Sequence, residues 1–236
     1  MTDHISVSRD GPILRLGFNR PEKKNALTGD MYTAFAEALE RGNAEGSGVR
    51  VHLVTGVPGA FTAGNDIGDF LAFASRGSMT DAPVARFLRA LVACERPIVA
   101  AVDGLAIGVG TTMLLHCDLV YASDRARLQL PFVNLGLVPE AASSLLLPRL
   151  AGHAKAAELM MFGEMFPASE GKEVGIVNAV LPAEALAAHV AERAAALAAR
   201  PRAAMKLTKA LLRDLPADRI KTRMAEEGAI FAKCIA

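Results

Sequence analysis

A chain of 236 residues, 52% of them apolar, can bury a substantial core as one large domain or as one domain with an appended helical piece. Its 26 lysines and arginines nearly cancel its 25 aspartates and glutamates, which removes the electrostatic reason to propose nucleic acid or an anionic membrane as the main partner. The polar start MTDHISVSRDG lacks the apolar run of a secretory signal, and GLAIGVGTTMLL is too short and too glycine-rich to cross a bilayer. A soluble cytoplasmic protein is expected. Cys94, Cys117 and Cys234 show no CxxC pairing and read as reduced, buried thiols.

In chain order, ISVSRD and ILRLGF alternate on either side of Gly11 and Pro12, the pattern of a hairpin. Thr28 is a good N-cap for a helix reaching about Arg41, with Met31, Phe35, Ala38 and Leu39 on one face. VRVHLVTG is a strand with Val49, Val51, Leu53 and Thr55, or their neighbours, turned inward. VPGAFTAGNDIGDF after it has no period and reads as a glycine-rich loop at a strand end, where chemistry often sits. Pro83 suits the first turn of a helix that buries Val84, Phe87, Leu88, Leu91 and Val92 and stops before Pro97. IVAAV is a strand, DGLAIGVG a second glycine-rich turn, and TTMLLHC a buried helix. DLVYAS and ARLQL add strands, and PEAASSLLLPRL reads as a helix that starts at Pro139. From His153 the chain is alanine-rich and helical apart from the short strand GIVNAVLP. No linker or low-complexity tract marks a boundary, although composition shifts further toward helix after about Leu181.

Several kinds of site are excluded by spacing. His4, His52, His116, His153 and His189 form no HExxH or other paired-ligand pattern, so no metal site is expected. GVGTTM lacks the third glycine of a dinucleotide fingerprint, and neither a GxxxxGK[ST] phosphate loop nor a GxSxG elbow occurs. Two glycine-bearing loops and one carboxylate, Glu140, remain. Small residues let backbone approach a ligand, so two facing loops can aim two N–H groups at one oxygen, or they can be ordinary tight turns. Glu140 follows a proline at a helix start, where its charge either favours the helix dipole or serves chemistry.

The motifs LGFNRPEKKNALT, FTAGNDIGDF, AAVDGLAIGVG, CDLVYASDRARLQLPF and GKEVGIVNAV, in this order, resemble the crotonase, or enoyl-CoA hydratase/isomerase, superfamily over most of the chain. The resemblance implies an α/β fold: a spiral of repeated ββα units over residues 1–181, holding the CoA-thioester site, and a C-terminal helical region over 182–236 that builds a homotrimer or a dimer of trimers. It implies an acyl-CoA substrate and no separate cofactor, since coenzyme A enters as part of the thioester. By position, the N–H groups of Asn65 and Val109 would hold the thioester enolate, with Gly108 beside the second donor. Ala63, Gly64, Asp66 and Ile67 would line the adenine and pantetheine, with Lys24 and Ala26 nearby.

The two glutamates that hydratases use to activate water fall on Thr112 and Phe132, and neither side chain can act as a general acid or base near neutral pH. A carboxylate instead appears eight residues after Phe132, as in the peroxisomal-type Δ3-Δ2-enoyl-CoA isomerases of fatty-acid β-oxidation, which makes Glu140 the expected proton shuttle and Phe132 a substrate-side residue. Leu137, Val138, Leu145 and Phe132 would exclude water around it and raise its pKa. A hydratase, or another crotonase-type reaction, is the alternative activity, and a non-catalytic acyl-CoA binder the alternative of another class. Relatives that bind RNA do so through a lysine-rich first helix, whereas TGDMYTAFAEALER has no lysine and carries Asp30, Glu37 and Glu40. Asp118 reads as a structural hydrogen-bonding residue, and Lys206, Lys209 and Arg213 as a solvated basic stripe within reach of CoA phosphates. Relatives often continue past FAKCIA into another helix, so a longer native chain fits the resemblance.

Overall fold

β1 (Ile5–Asp10) and β2 (Ile13–Phe18) pair antiparallel across Gly11 and Pro12, in a computed structural model that describes residues 2–74, 82–213 and 216–235. The next strands of this sheet all add in parallel. β3 (Val51–Thr55) lies on β2, β5 (Ile98–Val102) on β3, β7 (Leu119–Ser123) on β5 and β10 (Ala179–Leu181) on β7. Parallel neighbours need crossovers; the first, from β2 to β3, is helical, and each later one contributes a strand or two to a second sheet. β4 (Ala60–Thr62), β6 (Leu105–Ile107) and β8 (Arg127–Gln129) run parallel, and β9 (Met165–Pro167) closes the row antiparallel to β8. The chain therefore winds through ββα turns: β3 and β4 before α2 (Ile67–Ala74) and α3 (Pro83–Ala93), β5 and β6 before α4 (Val109–Thr112), β7 and β8 before α5 (Ser143–Ala151). This is the crotonase-type spiral.

Burial on both faces explains why IVAAV is a continuous apolar run and why VHLVT, His52 included, is buried from Val51 to Val54. Val54, Ala100, Val102, Val120 and Ala122 face the main core, while Val51, Leu53, Val99, Ala101 and Tyr121 face a second cluster on the other side of the sheet. The expectation of a single inward set on VRVHLVTG thus gives way to two buried faces. α8 (Ala183–Ala198) covers the second face with Leu186, Val190, Ala194 and Ala198, one residue per turn of a stripe whose small members let helix and sheet approach. On the main face, α1 (Gly29–Asn43) begins where Thr28 Oγ1 accepts from Met31 N at 3.4 Å, and it packs beside α3. Phe18, Phe35, Phe61, Phe87 and Tyr32 form linked ring contacts with centroids 5.2–5.3 Å apart, which fix the inner face of α1. α6 (His153–Phe162), α7 (Ala168–Glu173), α9 (Arg202–Leu212) and α10 (Ala217–Ile235) complete the helices.

The structure corrects further local readings, beginning with VPGAFTAGNDIGDF, which holds β4 and the start of α2 and is not all loop. DGLAIGVG is more than a turn, because Leu105–Ile107 within it is β6 and the following helix already starts at Val109. PEAASSLLLPRL becomes helical only at Ser143, since Ala141 and Ala142 adopt left-handed backbone (φ 60 and 55), which costs a non-glycine residue about 1–2 kcal/mol each. Glu140 therefore stands outside the helix whose first turn it was expected to occupy. Of the three thiols only Cys94 is fully buried, and Cys234 is exposed. The basic stripe is only partly solvated: Lys206 is exposed and pairs with Glu95, but Lys209 is buried, bonding Asp118 Oδ2 at 2.6 Å and Arg96 O at 2.7 Å, and half-buried Arg213 donates to Val92 O and Cys94 O. A buried ammonium needs such acceptors. Asp118 also accepts from Ile98 N, the structural role its position suggests. Among the described residues no helix is long and apolar enough to cross a membrane.

Candidate active site

β4 and β6 run parallel with Thr62 opposite Ala106, so the chain leaves both strands at the same end of the smaller sheet. Asn65 stands three residues beyond Thr62, and Val109 three beyond Ala106. The two loops touch: Gly64 has φ +89, and a Cβ there would lie 2.9 Å from Ile107 O. Val109 opens α4, where an N–H has no partner inside the helix, and among the described residues neither that N–H nor the one of Asn65 meets a backbone acceptor. The Val109 side chain packs into the core. Gly108, by contrast, spends its N–H on Gln129 O. Two unpaired donors at the ends of adjacent strands can hold one carbonyl oxygen as charge builds on it.

The loop carrying Lys24 and Ala26 is brought against the first of these. Ala63 N donates to Lys24 O at 2.9 Å, Leu27 N to Gly64 O at 2.8 Å and Asp66 N to Leu27 O at 2.9 Å. Buried Asn25 pins the same loop by donating to Ala60 O and Phe61 O. Lys24, Ala26, Ala63, Gly64 and Asp66 thus form one rim. The carboxylate of Asp66 is committed to Arg20 at 2.7 Å, a pairing that holds it below the usual carboxylate range. Ile67 stands open, 72% exposed.

Glu140 meets this site through Thr112. Thr112 Oγ1, fully buried in α4, donates to Glu140 Oε1 at 2.8 Å. The glutamate lies deep in the protein but keeps a partly accessible face, with Phe132 buried and Leu137 and Val138 packed on the same core. Burial pushes its carboxyl up to about 7; the Thr112 hydrogen bond opposes that rise and the charge of Glu227 adds to it. Leu145 packs in a separate small cluster with Val92, Ala142 and Ile220.

Tyr32 also belongs to the site, although the sequence does not single it out. Its hydroxyl donates to Asn65 Oδ1, and burial, then the negative charges of Glu140 and Asp69, hold the phenol well above its usual pKa. The available signal was a tyrosine beside Met31 and Phe35 in MYTAF, since a buried tyrosine O–H requires an acceptor. Glu227, 87 residues beyond Glu140 on α10, carried no such signal. A surface cavity of about 450 Å³ between α6, β9 and α7, lined by Lys155, Glu158, Phe162 and Glu170 among others, includes none of these residues.

Known proteins resemble this chain over nearly its whole length. A family model described as Enoyl-CoA hydratase/isomerase matches residues 9–236. Enoyl-CoA delta isomerase 2 of Rattus norvegicus is 35% identical over 94% of this chain, which spans 58% of the rat protein's length. The peroxisomal Enoyl-CoA delta isomerase 3 of Mus musculus is 34% identical over 96% of this chain and 72% of its own, and 2,3-dehydroadipyl-CoA hydratase of Escherichia coli 29% over 96% and 88%. An enoyl-CoA hydratase/isomerase crystal structure from Pseudoalteromonas atlantica superposes with TM-score 0.93 at 44% identity, covering 99% of this chain and 92% of that one. OdaA of Pseudomonas aeruginosa does so with TM-score 0.94 at 44% identity over 99% and 94%. The match runs through both strand-end loops and the Glu140 segment alike, and the chain belongs to the enoyl-CoA hydratase/isomerase family of the crotonase superfamily.

Proposed function

We propose that the protein moves the double bond of a 3-enoyl-CoA to the 2-trans position, with Glu140 as the single proton shuttle. The observation that carries this reading is the pairing of Glu140 with Thr112: a carboxylate raised to about 7 is held by the residue that stands where a hydratase would place an acid. The thioester oxygen accepts from the N–H groups of Asn65 and Val109, each donor contributing about 3 kcal/mol to the enolate. Glu140 takes the C2 proton, the charge spreads over the dienolate, and the same carboxyl returns a proton at C4, a contribution of roughly 10²–10⁴ in rate. A base poised near the working pH both accepts and releases that proton. Lys24, Ala26, Ala63, Gly64, Asp66 and Ile67 form the rim for adenine and pantetheine, with Phe132 walling the acyl side. A cytoplasmic homotrimer, or a dimer of such trimers, is part of the same proposal.

Glu140→Gln keeps shape and hydrogen bonding but removes the basic lone pair, so kcat for isomerisation should fall at least ~10²-fold with little change in acyl-CoA affinity. The assay compares isomerisation of a 3-enoyl-CoA with hydration of crotonyl-CoA. Rapid hydration by the wild type, with Glu140→Gln fully active, favours the hydratase reading. Tight acyl-CoA binding without turnover of any unsaturated thioester favours the binder.

A further inference from the structure

We propose that Glu227 on α10 is a positioning residue for Glu140: with His116 it holds the left-handed Ala141–Ala142 turn and so aims the carboxylate just before it. The C-terminal helix is thereby part of the active-site apparatus. The inference rests on the reading of Glu140 as the base.

Three donors from the turn converge on the Glu227 carboxylate. Ala142 N lies 2.6 Å from Oε2, and Ser144 N and Ser144 Oγ lie 3.1 and 2.5 Å from Oε1. On the other side, His116 Nε2 is 2.8 Å from Ala141 O; a carbonyl only accepts, so Nε2 carries the proton. His116 ends the segment that begins with Val109 and Thr112, which ties the turn to the α4 side of the site. Two successive alanines in left-handed backbone persist only where their surroundings over-determine them. These contacts do that.

A helix-capping role alone does not account for the arrangement. Ser143 sits at the first turn of α5, yet among the described residues its buried hydroxyl has no hydrogen-bond partner. A buried carboxylate from a helix 83–85 residues away takes the N–H groups instead, although burial raises its own pKa. Arg223 Nη1 reaches Ser144 Oγ at 3.4 Å, while its Nε pairs with Glu226. The charged and titratable groups around the pair are therefore Tyr32 from α1, with Asp69 acting on it, His116 with Lys209 and Arg213 behind it, and Arg223 beside Glu227. The Glu227 charge also raises the proton affinity of Glu140.

The test measures kcat, KM and the pH profile of kcat/KM for Glu227→Gln, with Glu140→Gln in parallel. The expected result is a kcat at least ~10-fold lower, KM within about 2-fold, and an acid limb moved to lower pH, because a negative neighbour of the base is gone. Glu227→Asp, which restores the charge, should bring the acid limb back toward the wild-type position. A cap with no positioning role lowers Tm and moves the limb only through its lost charge while kcat stays at the wild-type value, and that unchanged kcat overturns the proposal. Should Glu227→Gln fail to fold, Ser144→Ala removes one of the three donors and is expected to lower kcat with KM held; an unchanged kcat overturns the proposal. A fully active Glu140→Gln overturns the base reading and this inference with it. An inactive Glu140→Gln beside an unaltered Glu227→Gln overturns only the positioning role.

Discussion

Glu140 is costly to ionise where it sits, and that cost links its chemistry to stability. Its carboxyl is raised from 4.5 to about 7 in the folded chain, so the folded state binds more protons than the unfolded one between those values. Stability contributed by this group therefore falls as pH rises through that window and stays reduced above it. Glu140→Gln is expected to be more stable than wild type at pH 8 by about 1–3 kcal/mol, with the gain vanishing below pH 4.5. Thermal melts at pH 4.5 and 8 check this; equal melting temperatures at both would refute it. Thr112 supplies the opposing influence, since its hydroxyl stabilises the carboxylate. Thr112→Val should move the acid limb of kcat/KM to higher pH and lower activity at pH 7, as read in a pH-rate profile. The direction is opposite to that expected when the Glu227 charge is removed.

At the scale of elements, packing overrules propensity in α1. Gly42 lies in the last turn of the helix, where alanine would be favoured by about 1 kcal/mol on propensity alone. A Cβ there would stand 2.4 Å from His52 Cε1 and 2.9 Å from Leu14 Cδ2, however, and the fully buried ring, flanked by a leucine packed against the core, cannot give way freely. Overpacking of this kind costs about 1–3 kcal/mol, so Gly42→Ala is expected to destabilise the protein in urea titration despite the better helix former. His52→Ala in the same chain should recover part of the loss, because it removes the obstructing ring. α9 shows a related inversion: Lys209 turns inward to Asp118, while Leu207, Leu211 and Leu212 are exposed. Charge pattern alone misjudges such a helix, since a buried acceptor pair outweighs the tendency of lysine to seek water.

For the whole molecule, the larger sheet is covered on both faces by its own chain, yet apolar surface remains outside. Leu211 and Leu212 on α9 are 84% and 78% exposed, and Met161 and Phe162 on α6 are 67% and 64% exposed. Exposed apolar patches of this kind mark interaction surfaces. A homotrimer is expected by multi-angle light scattering, and a stable monomer at micromolar concentration would contradict it. Leu211→Glu should weaken assembly while leaving the monomer fold intact, because the residue makes little contact within its own chain.

Periodicity and motif order determined much of this protein before any coordinate. The hairpin, the capped helix after Thr28, the apolar strands IVAAV and DLVYAS, the two small-residue loops and the singular Glu140 all lie in local sequence, where a 2.0 or 3.6 period or a fixed motif spacing reports them. The partners of those residues do not. Tyr32 meets Asn65 across 33 positions, Thr112 meets Glu140 across 28, and Glu227 meets Ala142 across 85. Nothing in a local pattern names which polar group will satisfy another after the chain has wound through two sheets. The same holds for β4, β6 and β9, three-residue strands too short to show a period, which exist because neighbouring strands of the spiral offer them partners. Ala141 and Ala142 are the sharpest instance: their propensity predicts a helix starting near Pro139, whereas in the fold they take a left-handed turn bonded by Glu227 of α10 and by His116, with Glu140 held by Thr112.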